Sequence, residues 1–224
     1  MLFPDEDNTV QIAPEAFLLK GFLLGQTDAL LQSLNNIIAA NPLRHMTTPN
    51  GYSMSAAMTN CGDWGWVTDE KGYRYSQRDP VTNEPWQPIP IPFIQLAISA
   101  ASTAGFDHFI PDACLINRYA VGAAMALHQD KDETDFTQPI VSFSLGLPTT
   151  FDFGGVTRDA PKVAIYIEHG DVLVWGGQSR LNYHGVRRVK SGVHPLLGPY
   201  RYNLTFRRSQ PWIHLLQYAN LSMK

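Results

Sequence analysis

A mainly β protein with flanking helices (α+β), folded as a jelly roll or sandwich, is what this sequence predicts. Three observations lead there. Apolar residues recur at helical steps in two long segments before Pro111, eight short β-type runs follow it, and turn formers separate many of those runs. A length of 224 residues suits one domain. With 44% apolar and 17% charged residues the chain can build a core, and no run of about 18 apolar residues exists to span a bilayer.

The first helix is expected over 28–42, where Leu30, Leu34, Ile37 and Ile38 share a face, Thr27 or Asp28 offers an N-cap, and Pro42 stops the pattern. Between 46 and 91, Gly51, Gly62, Gly65, Gly72 and five prolines are interspersed with Tyr52, Trp64, Trp66, Tyr73, Tyr75 and Trp86. Aromatics among turn formers predict hairpins and loops. Their plainer role is to cover the core, and the sharper one is a stacking surface for planar ligands. A second helix starts near Pro92 and places Phe93, Leu96, Ala97, Ala100, Ala101 and Ala104 on one face, with Gly105 as its stop. The β-type runs are 115–119, 125–128, 140–145, 150–153, 163–167, 172–175, 183–189 and 200–207. A last helix, packing on its own domain, is expected over 211–224 from Trp212, Leu215, Leu216 and Ala219.

Charge and cysteine usage narrow the class. A net charge of -3 supplies no global field for a polyanion, so any nucleic-acid contact must be local. Arg187, Arg188 and Lys190 offer such a local surface, or simply a solvated strand end. Cys61 and Cys114 lie far apart and form neither a disulfide framework nor a zinc knuckle, which suits a reducing cytoplasm. Asp5, Glu6 and Asp7 are the reverse of a secretory signal's basic start.

His128 and Asp130 are spaced to project from one face of a strand, because strand side chains alternate. His184 sits on a later run that a jelly roll can fold over them. Two His and one carboxylate form the facial set of non-haem Fe(II) oxygenases, which leaves positions open for co-substrate and oxygen. Zinc would want a fourth ligand or a dedicated base. Glu168-His169-Gly170-Asp171 also looks rich in ligands, but Gly-Asp there reads as turn chemistry. On the last run, Arg201, Asn203, Thr205 and Arg207 face one way and Tyr202, Leu204 and Phe206 the other. Guanidinium groups turned into a barrel are costly unless an anion meets them, and a 2-oxo dicarboxylate would do so. The alternative is that this face is solvated.

These features, with 46–55, 57–62, 72–76, 111–119, 127–133, 144–148 and 168–177, resemble the AlkB family of Fe(II)- and 2-oxoglutarate-dependent dioxygenases over most of 41–208. The resemblance implies a double-stranded β-helix core with an N-terminal nucleotide-recognition lid. Fe(II) would sit on His128, Asp130 and His184, and 2-oxoglutarate on Asn117, Tyr119, Arg201, Asn203 and Arg207. Arg201 would take the distal carboxylate and Arg207 would sit by the one near iron. Trp66 would stack on the damaged base, Tyr73 and Tyr75 would hold the nucleotide backbone, and Asp132 and Arg158 would contact substrate. Asp132 has a physical role in that scheme, since 1-methyladenine and 3-methylcytosine are cationic and a carboxylate beside a flipped base selects them.

The implied activity is oxidative demethylation of alkylated bases in single-stranded DNA, with RNA left open, using O2 and releasing succinate and formaldehyde. A cytoplasmic monomer with no membrane contact is expected. The implied organisation is a lid region over 1–91, a core over 92–208 and an extension over 209–224. Two rivals remain: the same oxygenase chemistry on a protein or small molecule, which the aromatic lid and Asp132 oppose, and a silent nucleic-acid-binding module, which the intact triad and arginines oppose.

Overall fold

Two antiparallel sheets face each other, and helices cover the outside of the larger one. The computed structural model describes residues 8–211. Its elements in chain order are β1 (Thr9–Ala13), β2 (Ala16–Leu19), α1 (Thr27–Ala40), β3 (Arg44–Thr47), β4 (Ser53–Gly62), β5 (Gly65–Asp69), β6 (Gly72–Ser76), α2 (Ile91–Thr103), β7 (Ala113–Ala120), β8 (Met125–His128), β9 (Ile140–Gly146), β10 (Thr149–Phe153), β11 (Val163–Ile167), β12 (Val172–Trp175), β13 (His184–Val186) and β14 (Tyr200–Arg207). The major sheet runs β1-β2-β12-β9-β14-β7-β4-β3, the minor sheet runs β11-β10-β13-β8, and β5 pairs with β6 as a separate hairpin.

Strand alternation divides the core in two. Val141, Phe143 and Leu145 of β9, Val172 and Val174 of β12, and Leu204 and Phe206 of β14 face the helices, where they meet Leu30, Leu34 and Ile37 of α1 and Phe93, Ala97 and Ala100 of α2. Phe206 anchors this layer with Phe143 at 4.6 Å and an edge-on Phe93 at 6.0 Å between centroids. The second cluster fills the space between the sheets with Leu18, Met58, Leu115, Phe151, Phe153 and Trp175. At roughly 1.5–3 kcal/mol per buried large side chain, the two clusters carry most of the drive to fold.

The helices lie where the periodicity places them, with different caps. Gln26 precedes α1 with no side-chain cap, and Thr27 Oγ donates back to the Leu24 carbonyl at 3.2 Å instead. Gly105 does end α2, at φ +85°, with its N–H on Ser102 O and the Phe106 N–H on Ala101 O. That left-handed position is one a glycine fills without a Cβ penalty.

The main difference from expectation lies at 53–62. Sequence texture suggests loops and hairpins, but Ser53–Gly62 is a long strand beside β7, buried from Ala56 to Gly62. Its Ser, Ala, Met, Thr and Asn residues have modest β preference, so burial against α1 and β7 makes it a strand rather than propensity. β1 and β2 also extend the major sheet, through the pairing of β2 with β12. Strands from both sides of residue 91 therefore share one sheet. The helix expected over 211–224 lies outside the described residues apart from Pro211.

Gly146 ends β9 at φ +85°, and a Cβ there would strike the Tyr200 carbonyl oxygen of β14. Gly146→Ala is expected to cost about 1–3 kcal/mol through combined strain and overpacking, read as a lowered urea midpoint. An unchanged midpoint would contradict this packing.

Candidate active site

The minor sheet brings the ligand triad together. β13 pairs with β8 so that His184 lies opposite His128, and the imidazole centroids are 4.4 Å apart. β8 ends at His128, so Asp130 follows the strand rather than belonging to it. Its carboxylate still returns to the same side, with Oδ1 3.6 Å from His128 Nε2 and Oδ2 3.8 Å from His184 Nε2. One ligand atom from each lies within 4.8 Å of the others, and no second group of this kind occurs among the described residues.

The tautomers suit coordination. His128 Nδ1 donates to the Ala126 carbonyl at 2.8 Å, and His184 Nδ1 to the Asn182 carbonyl at 3.0 Å. Both Nε2 lone pairs therefore point at the common center, an orientation fixed by main-chain acceptors. Burial, then the neighbouring His128, lowers the His184 pKa to about 4, so its ring stays neutral at physiological pH. Burial works against the Asp130 carboxylate, but Arg207 and the two imidazoles outweigh it and hold its pKa well below the usual range. Arg207 donates to Asp130 Oδ2 through Nη2 at 2.6 Å and Nε at 3.0 Å.

The polar face of β14 points inward, as alternation requires. Arg201 lies opposite Tyr119, and Asn203 opposite Asn117, on the neighbouring strand β7. On the other side Asn203 is opposite Ser144 and Thr205 opposite Ser142 of β9. Asn203 donates through Nδ2 to Ser142 Oγ at 2.7 Å, and its Oδ1 accepts from Thr205 Oγ1 at 2.9 Å. Arg201 is 1% exposed and donates one bond, from Nη2 to Ser144 Oγ at 3.0 Å. Its Nε and Nη1, with Asn117 Oδ1, have no partner among the described residues. Burial pulls the Arg201 pKa down to about 10 and pushes the Tyr119 hydroxyl up to about 12. Buried donors without acceptors are costly, and a carboxylate is the acceptor whose charge and fork geometry fit them.

A cavity of about 360 Å³, lined by the triad with Asn117, Tyr119, Asn203 and Arg207, reaches the hairpin β5–β6. Trp66 and Tyr73 stack at 5.7 Å and 20° on its wall, and the Trp66 indole N–H donates to Asp132 Oδ2 at 2.7 Å. Arg158 lines the same cavity with its guanidinium 5.7 Å from the Tyr183 ring. Tyr75 points elsewhere, its hydroxyl donating to buried Glu133 at 2.5 Å.

The chain's likenesses agree with this geometry. Residues 15–207 match the model of the 2OG-Fe(II) oxygenase superfamily. The chain belongs to that superfamily. It is 51% identical to the Alpha-ketoglutarate-dependent dioxygenase AlkB of Salmonella typhimurium, over 93% of this chain and 97% of that one. The Escherichia coli protein of the same name is 52% identical, over 88% and 92% of the two chains. The solved structure of OsALKBH1 superposes with a TM-score of 0.77 at 30% identity, covering 89% of this chain and 99% of that one. The protein is accordingly an Fe(II)- and 2-oxoglutarate-dependent dioxygenase with a jelly-roll core.

Both groups fit the residues present. Fe(II) takes mixed nitrogen and oxygen ligands in the facial set that the triad offers. The unpaired Arg201 donors and the Asn117 oxygen lie on one face with Tyr119 and Asn203, as a dicarboxylate co-substrate needs. Sequence reasoning missed Met54, Met58, Phe151 and Trp175 on the cavity wall, which look like ordinary core residues, and it gave Glu133 and Arg180 no role. The Glu168–Asp171 segment is the turn expected: Asp171 accepts from the Glu168 and Gly21 N–H groups, each at 2.8 Å. Arg187 is paired with Asp152 at 2.6 Å yet stays exposed, as Arg188 and Lys190 do beside it.

Asp130→Ala should abolish tight Mn(II) binding in a calorimetric titration. It should also destabilise the metal-free protein by about 3 kcal/mol, because buried Arg207 loses its nearest partner. Metal binding that survives the substitution would overturn the ligand assignment.

Proposed function

We propose that this dioxygenase demethylates N-alkylated bases, 1-methyladenine and 3-methylcytosine, in single-stranded DNA, with RNA as a second substrate. The observation that carries the reading is the stacked Trp66–Tyr73 pair on the cavity wall, tied through the Trp66 N–H to Asp132, with the triad lining the same cavity. An aromatic platform stacks any base, and an acidic group beside it favours a base that carries positive charge. A relative's name points the same way, since a human protein called Nucleic acid dioxygenase ALKBH1 is 33% identical over 55% of this chain and 32% of its own length.

The residues then divide the work. Trp66 receives a base extruded from its stack, Tyr73, expected to hold the nucleotide backbone, lies stacked beside it, and Asp132 favours the cationic lesion. Arg158 and Lys131, on the same cavity, supply local positive charge that the net charge of -3 does not. His128, Asp130 and His184 would hold Fe(II), and Arg201, Arg207, Asn117, Tyr119 and Asn203 would hold 2-oxoglutarate. When bound, these groups supply an oxidant that puts one atom of O2 into a methyl C–H bond and the other into succinate, with loss of carbon dioxide. The hydroxymethyl product releases formaldehyde and the repaired base. The chain's own part is to aim the methyl group and to exclude water, for which Met54, Met58 and Phe151 are suited.

The lid expected over 1–91 narrows to the β5–β6 hairpin, because β1–β4 share the major sheet with β7, β9, β12 and β14 and so belong with the core expected over 92–208. The extension expected over 209–224 lies outside the described residues beyond Pro211. A monomer is supported by a site complete within one chain, and a cytoplasmic location by the two free, buried cysteines. No helix among the described residues is long and apolar enough to cross a membrane.

The test is an oligonucleotide carrying one N1-methyladenine, incubated with the Fe(II)-loaded protein, 2-oxoglutarate and oxygen. Loss of one methyl group with matching succinate and formaldehyde is expected, and none without 2-oxoglutarate. Succinate release with unchanged DNA and RNA would direct the chemistry to a protein or small-molecule substrate.

A further inference from the structure

Glu133 is a carboxylate with no place in the scheme so far, yet its side chain is only 2% exposed. Three donors converge on it. Tyr75 OH reaches Oε1 at 2.5 Å, Arg207 Nε lies 3.4 Å from the same oxygen, and Arg180 Nη2 donates to Oε2 at 3.0 Å. Arg180 also donates to the main-chain oxygen of Asp130 at 2.8 Å and to that of Gln138 at 3.0 Å. Two cations and two carboxylates thus form a closed, buried set around Asp130, with Arg207 bridging both acids.

Tyr75, whose hydroxyl joins this set through Glu133, comes from outside the two facing sheets. It sits on β6, which pairs with β5 alone, directly opposite Trp66 in the hairpin register. Trp66 and Tyr73 of the same hairpin form the base platform. The hairpin therefore reports its position to the co-substrate site through one hydroxyl, on the oxygen that Arg207 also uses.

We infer that Glu133 is a positioning residue that couples seating of the β5–β6 hairpin to 2-oxoglutarate binding, through Tyr75 on one side and Arg207 on the other. This rests on the family assignment and on Arg207 facing the co-substrate. With the Tyr75 hydroxyl in place, Glu133 Oε1 is shared, and Arg207 keeps its closer bonds to Asp130. Without it, the buried Oε1 has Arg207 as its remaining donor and draws the guanidinium off Asp130, since an unsatisfied buried carboxylate oxygen is costly. Coupling of this kind is reciprocal, so bound co-substrate must in turn hold the hairpin down. The lid would close on a base most firmly when the oxidant's co-substrate is already present.

Tyr75→Phe removes only the hydroxyl and keeps the ring. On Mn(II)-loaded protein without oxygen, titration calorimetry should show 2-oxoglutarate binding about three- to tenfold weaker than wild type, the scale of one lost hydrogen bond. Affinity for a single-stranded oligonucleotide should fall by no more than the same roughly three- to tenfold. Hydrogen exchange of amides 65–76 should slow on adding 2-oxoglutarate to wild type and not to the variant. Glu133→Gln, which keeps shape and loses charge, should reproduce the weaker 2-oxoglutarate binding. Unchanged 2-oxoglutarate affinity in Tyr75→Phe, or a loss confined to oligonucleotide binding, overturns the inference and leaves Tyr75 a backbone contact. Wild-type protein that fails to bind 2-oxoglutarate would remove the family reading and the inference together.

Discussion

Arg201 and Arg207 are buried on the inward face of β14, and a charged group in a jelly roll's interior must be matched by an opposite charge or be destabilising. The two arginines answer this differently. Arg207 is matched inside the protein, by Asp130 and Glu133. Arg201 has Ser144 as its hydrogen-bond acceptor, and two of its donors are left for something the chain does not supply. One strand therefore carries a satisfied cation beside the metal ligands and an unsatisfied one two register positions beyond Asn203. The unmatched donors of Arg201 call for an anionic group from a ligand, whereas Arg207 already has its acids within the chain.

The rest of the fold serves this strand. β14 lies between β9 and β7 in the major sheet, so neither of its edges is open to solvent. Its other face, Tyr202, Leu204 and Phe206, is pinned by Phe143 and by Phe93 of α2, which fixes the register that places Arg201 against Tyr119 and Asn203 against Asn117. The minor sheet brings His128 of β8 and His184 of β13 together, and the loop after β8 carries Asp130, Asp132 and Glu133 in turn to the two imidazoles, to Trp66 and to Tyr75. That loop joins the ligand triad to the β5–β6 hairpin.

Much of this was legible in the sequence because the informative residues obey local rules. Alternation alone put Arg201, Asn203, Thr205 and Arg207 on one face, and the short spacing of His128 and Asp130 marked the pair as ligands although Asp130 lies beyond the end of β8. Glycine and proline marked most of the strand ends after Pro111. What escaped were features decided by tertiary contact. Ser53–Gly62 has no strong strand preference and becomes a strand because β7 and α1 bury it. Glu133 reads as one more acid in a charged loop, and only the fold shows it enclosed by Arg180, Arg207 and Tyr75. Met58 and Trp175 look like core residues in any sequence, and here they are core residues that also wall the cavity.

The central claim is that buried Arg201 awaits the far carboxylate of the co-substrate. It is tested most directly by calorimetric titration of the Mn(II)-loaded, oxygen-free protein with 2-oxoglutarate and with 2-oxobutanoate, which keeps the 2-oxo acid end and lacks the distal carboxylate. The account predicts binding at least about 100-fold weaker for 2-oxobutanoate, since a buried charge-assisted pair is lost, and that this difference largely disappears in Arg201→Met. Equal affinity for the two acids in the wild-type protein would contradict it.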